Sequence, residues 1–99
     1  MIKVNLKKSE VIIKGHSNHD DAGKDIVCAS VSTAIIVTIN ALVRLEKKTF
    51  DYEEDDGYIR IFIKKSDKET QVLIDNLVCT LKELAEKYEE NIKIFEEVQ

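Results

Sequence analysis

The chain has 99 residues, which suits one domain with a hydrophobic core and is too short for two. Its net charge is −4, and its fifteen Lys and Arg residues are scattered along the sequence. A nucleic-acid-binding surface gathers basic side chains in a stripe or patch, so we expect no such surface, whereas a mildly acidic surface suits a basic partner. Since no signal peptide or uninterrupted membrane-spanning run is recognised, we expect a cytoplasmic protein that folds as a single domain over residues 1–99.

Two strands are predicted at the start of the chain. Ile2, Val4 and Leu6 alternate with polar residues, which is the period of a half-buried strand. After a polar turn, residues 11–13 predict a second strand, which we expect to pair with the first as a hairpin. The second strand leads into Gly15, whose backbone freedom allows the chain to leave the strand sharply.

A long apolar segment, from about residue 25 to residue 46, predicts the first helix. Many of its residues are β-branched, which individually favours strands, but its length and its lack of turn signals favour a helix. The segment is apolar nearly all round. We therefore expect it to be buried on most sides by the sheet, by a second helix or by another subunit.

The second half of the chain begins with a predicted hairpin. Phe50 and Tyr52 begin a third strand, and Asp56 with Gly57 forms a dipeptide typical of a tight hairpin turn. Residues 58–63 then predict a fourth strand, with three isoleucines on one face.

A second helix and a last strand complete the predicted elements. Ser66 and Glu69 match a capping box at the start of this helix, and Cys79 falls within the helical pattern and is interpreted as structural. Residues 92–98 predict the closing strand. The order ββαββαβ predicts an α+β fold, a two-layer or three-layer sandwich of two long helices against a mixed or antiparallel sheet. The sequence leaves open whether the helices cover the same face. Apolar residues recur at helical spacing along the second helix: Leu73, Leu77, Leu81, Leu84 and Tyr88.

The segment between the second strand and the first helix holds both histidines and one of the two cysteines. It reads GHSNHDDAGKDIVCASVS from position 15 to position 32. We expect Cys28 within about a turn of the helix start, where unpaired N–H groups and the helix dipole favour a thiolate and could hold an oxyanion. His16 could serve as the general base, or as the imidazolium partner of that thiolate. Asp25 and Ser32 lie at i−3 and i+4 from Cys28 and so share its helix face.

The residues alone leave other interpretations of this segment open. Cys28 could be an inert core thiol, because free cysteine is among the most buried residue types. The loop before it would then be merely solvated, or would clamp a peptide without any catalysis. A metal site formed by His16, His19, Asp20 or Asp21 with Cys28 is a weaker alternative, because this loop spacing with one thiolate is not a recognised zinc pattern. We expect no metal and no cofactor.

The same segment resembles the signature of the bacterial ribosomal-processing cysteine proteases. In that family a Gly-His pair ends the second strand, and a Gly-x-Asp-Ile-Val-Cys segment opens the first helix. This chain carries both, with His16 and Cys28 twelve positions apart. The resemblance covers the whole chain, because the length and the order of elements also match. Where relatives often carry Ala after the histidine and Tyr before the second glycine, this chain has Ser17 and Ala22.

The resemblance implies a cysteine endopeptidase that removes a short N-terminal extension from protein twenty-seven of the large ribosomal subunit during ribosome maturation. It implies Cys28 as the nucleophile and His16 as the base and acid. It also implies a homodimer, with no direct contact to nucleic acid or membrane; the alternative is a ribosome-associated peptide-binding module without catalysis. The implied supporting residues are Gly15, Gly23, Asp25 and Ser32, and the implied substrate-covering loop comprises Ser17, Asn18, His19, Asp20, Asp21 and Ala22.

Overall fold

The computed structural model describes residues 1–15 and 22–97, and for residues 22–25 it describes the backbone alone. The predicted order ββαββαβ is confirmed. The elements are β1 (Ile2–Leu6), β2 (Glu10–Lys14), α1 (Ala22–Arg44), β3 (Phe50–Asp55), β4 (Tyr58–Ile63), α2 (Lys68–Lys87) and β5 (Ile92–Glu96).

The five strands form one mixed sheet in the order β3-β4-β2-β1-β5. β1 pairs antiparallel with β2, as predicted, and β4 pairs antiparallel with both β2 and β3. The last strand returns beside the first and pairs with it in parallel, so that Ile2 lies opposite Ile92. The sheet is therefore mixed, and its two edges are β3 and β5.

Both helices cover the same face of the sheet. Val4, Ile13 and Ile59 are neighbours on adjacent strands, and all three pack in or against the core. Side chains from both helices join that core, and α1 also contacts α2. The opposite face carries exposed or half-buried polar residues such as Lys14 and Arg60. The fold is thus a two-layer sandwich, which answers the question that the sequence left open.

The helix α1 begins three residues earlier and ends two residues earlier than predicted. Its C-terminal end is closed by a pair of backbone hydrogen bonds. The N–H of Lys47 donates to the Leu42 carbonyl at 3.0 Å, and the N–H of Glu46 donates to the Val43 carbonyl at 2.9 Å. Glu46 has a φ of 56°, the left-handed conformation that ends many helices at this position. The connection to β3 therefore leaves the helix in a defined direction.

Only one side of α1 is buried within this chain. Val27, Ile35 and Leu42 are almost completely buried, whereas Ile36 and Val37 are 54% and 61% exposed. By length and composition alone, residues 26–44 could cross a membrane, yet 33% of that segment is buried inside the fold. The sheet and the second helix therefore cover only part of α1, and among the described residues an apolar face of α1 is left open, so the expected burial on most sides would need another subunit.

The N-cap of α2 is Asp67, so the predicted capping box starting at Ser66 is wrong by one residue. The N–H of Thr70 donates to Asp67 Oδ1 at 2.9 Å. The Ser66 hydroxyl instead donates to the side chain of Gln71. A short acidic side chain satisfies an unpaired first-turn amide as well as a hydroxyl does, and its charge suits the helix dipole. Asp67 therefore caps α2 in place of Ser66.

Lys47 ties the end of α1 to the start of α2. Its Nζ donates to Asp67 Oδ2 at 3.0 Å and to Glu69 Oε1 at 2.9 Å. Beneath this ion pair the hydroxyls of Thr49 and Thr70 form a buried hydrogen bond at 2.7 Å. Hydrogen bonds from Thr70, together with Lys47, hold the pKa of Asp67 well below its usual range.

The predicted apolar stripe of α2 is confirmed, and its cysteine lies outside it. Leu77 and Leu81 are buried in the core, and the other predicted members, Leu73, Leu84 and Tyr88, pack against it. Cys79 is an exposed free thiol, so it makes no structural contribution to the core.

Candidate active site

A cavity of about 890 Å³ opens beside α1 at the end of the sheet where β2 stops. Gly15 lines it from the end of β2, and Cys28 and Ser32 line it from α1. The opposite wall comes from the β3–β4 hairpin, including Tyr52 and Glu54. Three residues predicted from the sequence to belong to the site, Gly15, Cys28 and Ser32, thus meet around one cavity.

Cys28 lies in the second turn of α1. The helix begins at Ala22, so its four amides without a helical partner belong to residues 22–25. The amide of Cys28 is one turn further along, inside the helical ladder, so Cys28 lies further from the helix start than the single turn that was expected. Cys28 is a half-buried free thiol, and Val31, Ser32 and Ile35 follow it along the cavity wall at i+3, i+4 and i+7. Half-burial leaves the sulfur reachable from the cavity.

Gly15 fixes the point at which the chain leaves β2. Its φ is 111°, a conformation that side-chain-bearing residues rarely adopt, and a Cβ here would collide with the carbonyl oxygen of Met1. Its N–H donates to the carbonyl of Gly57, in the β3–β4 turn, at 2.9 Å. The expectation that Gly15 adopts a backbone angle unfavourable to other residues is confirmed.

The carboxylates of the β3–β4 hairpin divide between the two faces of the sheet. Glu54 lies opposite Ile59, on the side that faces the helices. Glu53 lies opposite Arg60, on the other side, where Arg60 Nη1 approaches Glu53 Oε1 at 3.6 Å. Asp55 Oδ1 accepts the amide of Asp56 at 2.8 Å within the turn. This wall of the cavity was not predicted from the sequence, although the alternation of Phe50, Tyr52 and Glu54 places a carboxylate on the side of Phe50.

Several predicted site residues lie outside the described residues, so the pairing of His16 with Cys28 stays a prediction. Gly23 lies in the first turn of α1, and Ala22, expected at the end of the covering loop, is the first residue of that helix. The side chain of Asp25 is not among those described. The residues outside the described part are His16, Ser17, Asn18, His19, Asp20 and Asp21.

No cluster that could hold a metal ion is found among the described side chains, those of residues 1–15 and 26–97, judged by groups of three or more His, Cys, Asp or Glu. Of the residues considered as metal ligands from the sequence, Cys28 alone falls in those ranges. The metal-site alternative therefore gains no support from the cavity wall.

Comparison with known proteins gives one consistent match. Residues 1–93 match the family model described as Cysteine protease Prp. The ribosomal processing cysteine protease Prp of Staphylococcus aureus (strain Mu50) is 31% identical over 91 residues, which cover 89% of this chain and 86% of the relative. The protein of the same name from Mycoplasma genitalium is 32% identical over 99 residues, which cover 98% of this chain and 97% of the relative.

A solved structure agrees with these sequence matches. It is the essential ribosomal processing protease Prp from S. aureus in complex with a covalently linked product peptide. It superposes with a TM-score of 0.86 at 29% identity and covers 98% of this chain and 100% of that one. The fold, the length and a thiol in a cavity all agree with the match, which sets aside the non-catalytic alternative. The chain belongs to the Prp family of cysteine proteases.

Proposed function

We propose that this protease removes a short N-terminal extension from protein twenty-seven of the large ribosomal subunit during ribosome maturation. The observation that carries the proposal is the half-buried Cys28 thiol on the wall of a cavity large enough for several peptide residues. Relatives named for ribosomal processing, and an S. aureus Prp structure in complex with a substrate peptide, support a ribosomal peptide as the substrate.

The proposed chemistry is acyl transfer through a thioester. The Cys28 thiolate attacks the scissile carbonyl carbon, and the new carbon–sulfur bond places a negative charge on the carbonyl oxygen. His16 donates its proton to the leaving amine as the carbon–nitrogen bond breaks, which leaves an acyl-enzyme. His16 then takes a proton from water, and the resulting hydroxide displaces the thiolate and releases the new carboxyl terminus. We assign the oxyanion to the unpaired amides of residues 22–25.

Supporting roles follow from position along α1. Ser32 lies one turn beyond Cys28 on the cavity wall, and Asp25 lies about one turn before it, so these two residues are proposed to position His16 or the peptide. Residues 17–21 are proposed to cover the bound peptide. The reaction needs no cofactor and takes place in the cytoplasm, where thiols are kept reduced.

The proposed active form is a homodimer that pairs α1 with its copy. The exposed side of α1 shows the alternating three- and four-residue spacing of a coiled-coil seam. One amide side chain, that of Asn40, lies in this seam, where a buried amide typically sets the register of two helices. A second copy would cover the apolar face that the single chain leaves open. The exposed residues of the seam are Ile26, Ala29, Thr33, Ile36, Asn40 and Val43.

The test is cleavage of ribosomal protein twenty-seven carrying its N-terminal extension, with the products identified by mass spectrometry. Wild type should cut one bond, and Cys28→Ala should lose turnover by on the order of 10⁴-fold or more, because the nucleophile is gone. Cys79→Ala is the matched control, since this exposed thiol lies on α2 and outside the cavity lining. Cleavage by Cys28→Ala would contradict the assignment of the nucleophile, and a folded wild type that cuts nothing would contradict the proposed function.

A further inference from the structure

We propose that Glu54 determines substrate specificity by binding a Lys or Arg side chain of the peptide near the scissile bond. This inference rests on the proposed proteolysis at Cys28 and names a residue that selects which peptides are cut.

Glu54 lies near the end of β3, on the side of the strand that faces the helices. Phe50, Tyr52 and Glu54 occupy the helix-facing side of β3, opposite the three isoleucines of β4. Phe50 is buried and Tyr52 is 49% exposed, so this side of the strand emerges from the core as it approaches the cavity. Glu54 is the last of the three, and it lines the cavity that also contains Cys28. The strand therefore presents a carboxylate to the space in which the peptide would react.

Asp55 and Asp56 line the same cavity as Glu54, but the carboxylates on either side of Glu54 make other contacts. Glu53 points to the other face of the sheet and approaches Arg60, and Asp55 accepts an amide within its own turn. Among the side chains of residues 1–15 and 26–97, which the structure describes, none forms an ion pair or a hydrogen bond with the Glu54 carboxylate. A carboxylate held at a site without a protein cation is the group that a substrate cation can neutralise.

The cavity wall around Glu54 includes apolar side chains. Ile2, Ile13 and Ile59 line the same cavity as Glu54. Long basic side chains pack their aliphatic stems on apolar surface and place the charged head at a polar group. An apolar wall that ends in a carboxylate fits this shape, whereas an aspartate or glutamate of the peptide would be repelled. The preferred ligand is therefore a cationic side chain.

A purely structural role for Glu54 makes a different prediction. Edge strands often carry inward-pointing charges that prevent pairing with another chain, and β3 is an edge strand. If Glu54 served only that purpose, the charge of the peptide would not affect its cleavage rate.

The experiment compares matched peptides spanning the scissile bond, in which each flanking position carries in turn Lys or the uncharged Gln. We expect wild type to cleave the Lys peptide with a kcat/KM about tenfold higher at one position, and Glu54→Gln to abolish that preference. Glu53→Gln removes the same charge from the same strand on the opposite face, so it should keep the preference. Glu54→Lys should reverse it in favour of a peptide with Glu at that position.

The outcomes separate the two proposals. Equal cleavage of Lys and Gln peptides by wild type, or an unchanged preference in Glu54→Gln, would overturn the role of Glu54 while leaving the protease activity intact. Failure of wild type to cleave any of the peptides would overturn the proposed function and this inference with it. Glu54 is exposed, so its variants should melt within a few degrees of wild type, which circular dichroism checks.

Discussion

Gly15, at the end of β2, lies against two segments that are distant from it in the sequence. Its N–H donates to a carbonyl in the β3–β4 turn, and a Cβ on it would meet the carbonyl of Met1. We predict that Gly15→Ala lowers the free energy of unfolding by about 2 kcal/mol or more, because alanine is strained at this φ and its Cβ meets the Met1 carbonyl. Urea unfolding followed by circular dichroism measures the loss.

The control for this prediction is Gly57, which has a φ of 69°. Asparagine tolerates that conformation, so Gly57→Asn should cost less than Gly15→Asn, in which the Cβ collision remains. Equal stability of wild type and Gly15→Ala would contradict the geometry described for the end of β2.

At the residue scale, the sequence predicts the part of the site that is local along the chain. Cys28 and Ser32 are one helical turn apart, so helical periodicity alone places them together. Glu54 is different, because it reaches the cavity only through the pairing of β3 with β4 and of β4 with β2. No pattern of residues within β3 indicates which strands pair in the sheet. The sequence also does not show that Asp67, rather than Ser66, caps α2, because Asp67 is bound by Lys47, which is distant in the sequence.

At the element scale, α1 shows why its burial could not be predicted from composition. A helix that is apolar nearly all round carries no signal that distinguishes the core side from the exposed side. The sheet and α2 determine which side of α1 is buried. They cover Val27, Ile35 and Leu42 and leave the seam around Ile36 exposed. Its start was missed because residues 22–24 carry no strong helix signal of their own.

The open face of α1 leads to a prediction about association. Ile36→Lys places a charge in the centre of the proposed seam, so it should raise the dimer dissociation constant by about 100-fold or more. Sedimentation equilibrium of wild type and variant measures this change. Val72→Lys is the matched control, because Val72 is an exposed apolar residue on α2, 57% accessible, and outside the seam. A monomeric wild type, or an Ile36→Lys variant that dimerises as strongly as wild type, would contradict the proposed dimer.

At the scale of the whole molecule, the ion pairs of Lys47 with Asp67 and Glu69 link the end of α1 to the start of α2. The pKa of Asp67 is lowered on folding, so the native state binds fewer protons than the unfolded state near pH 4. Its contribution to stability is therefore fully present well above the ordinary pKa of an aspartate, about 3.9, and is lost progressively as the pH falls from there through the lowered pKa of the native state.

We predict that Asp67→Asn melts below wild type at pH 7 and that the difference shrinks progressively as the pH falls from about 4 to 2. Asparagine retains the cap acceptor but not the charge, so the variant isolates the ionic part of the interaction. Thermal melts from pH 2 to pH 7 measure this difference. Glu86→Gln, which removes an exposed carboxylate from α2, should show little difference at any pH. A gap between Asp67→Asn and wild type that does not change with pH would contradict the role given to the charge.

The order of elements was predictable because each element carries its own periodicity, but the packing of the helices on one face was not. β1 is clearly one-sided, with Val4 inward and Lys3 outward. β4 does not show this one-sided pattern, because Tyr58 and Phe62 place aromatic rings on the outer face. There Arg60 lies over the Phe62 ring, with 5.6 Å between its Cζ and the ring centroid. A strand that is apolar on both sides is compatible with helices on either face, and only the assembled sheet resolves it.

The parallel pairing of β1 with β5 has a consequence for how the enzyme is made. Ile2 and Ile92 are neighbours in the sheet although they stand at opposite ends of the chain. Contacts of such long sequence separation form slowly, and during translation they have to wait for the last segment to appear. While the chain is still being synthesised, the edge of β1 stays uncovered and the core stays incomplete. The nascent protease therefore completes its fold only when the final strand has left the ribosome on which it is made.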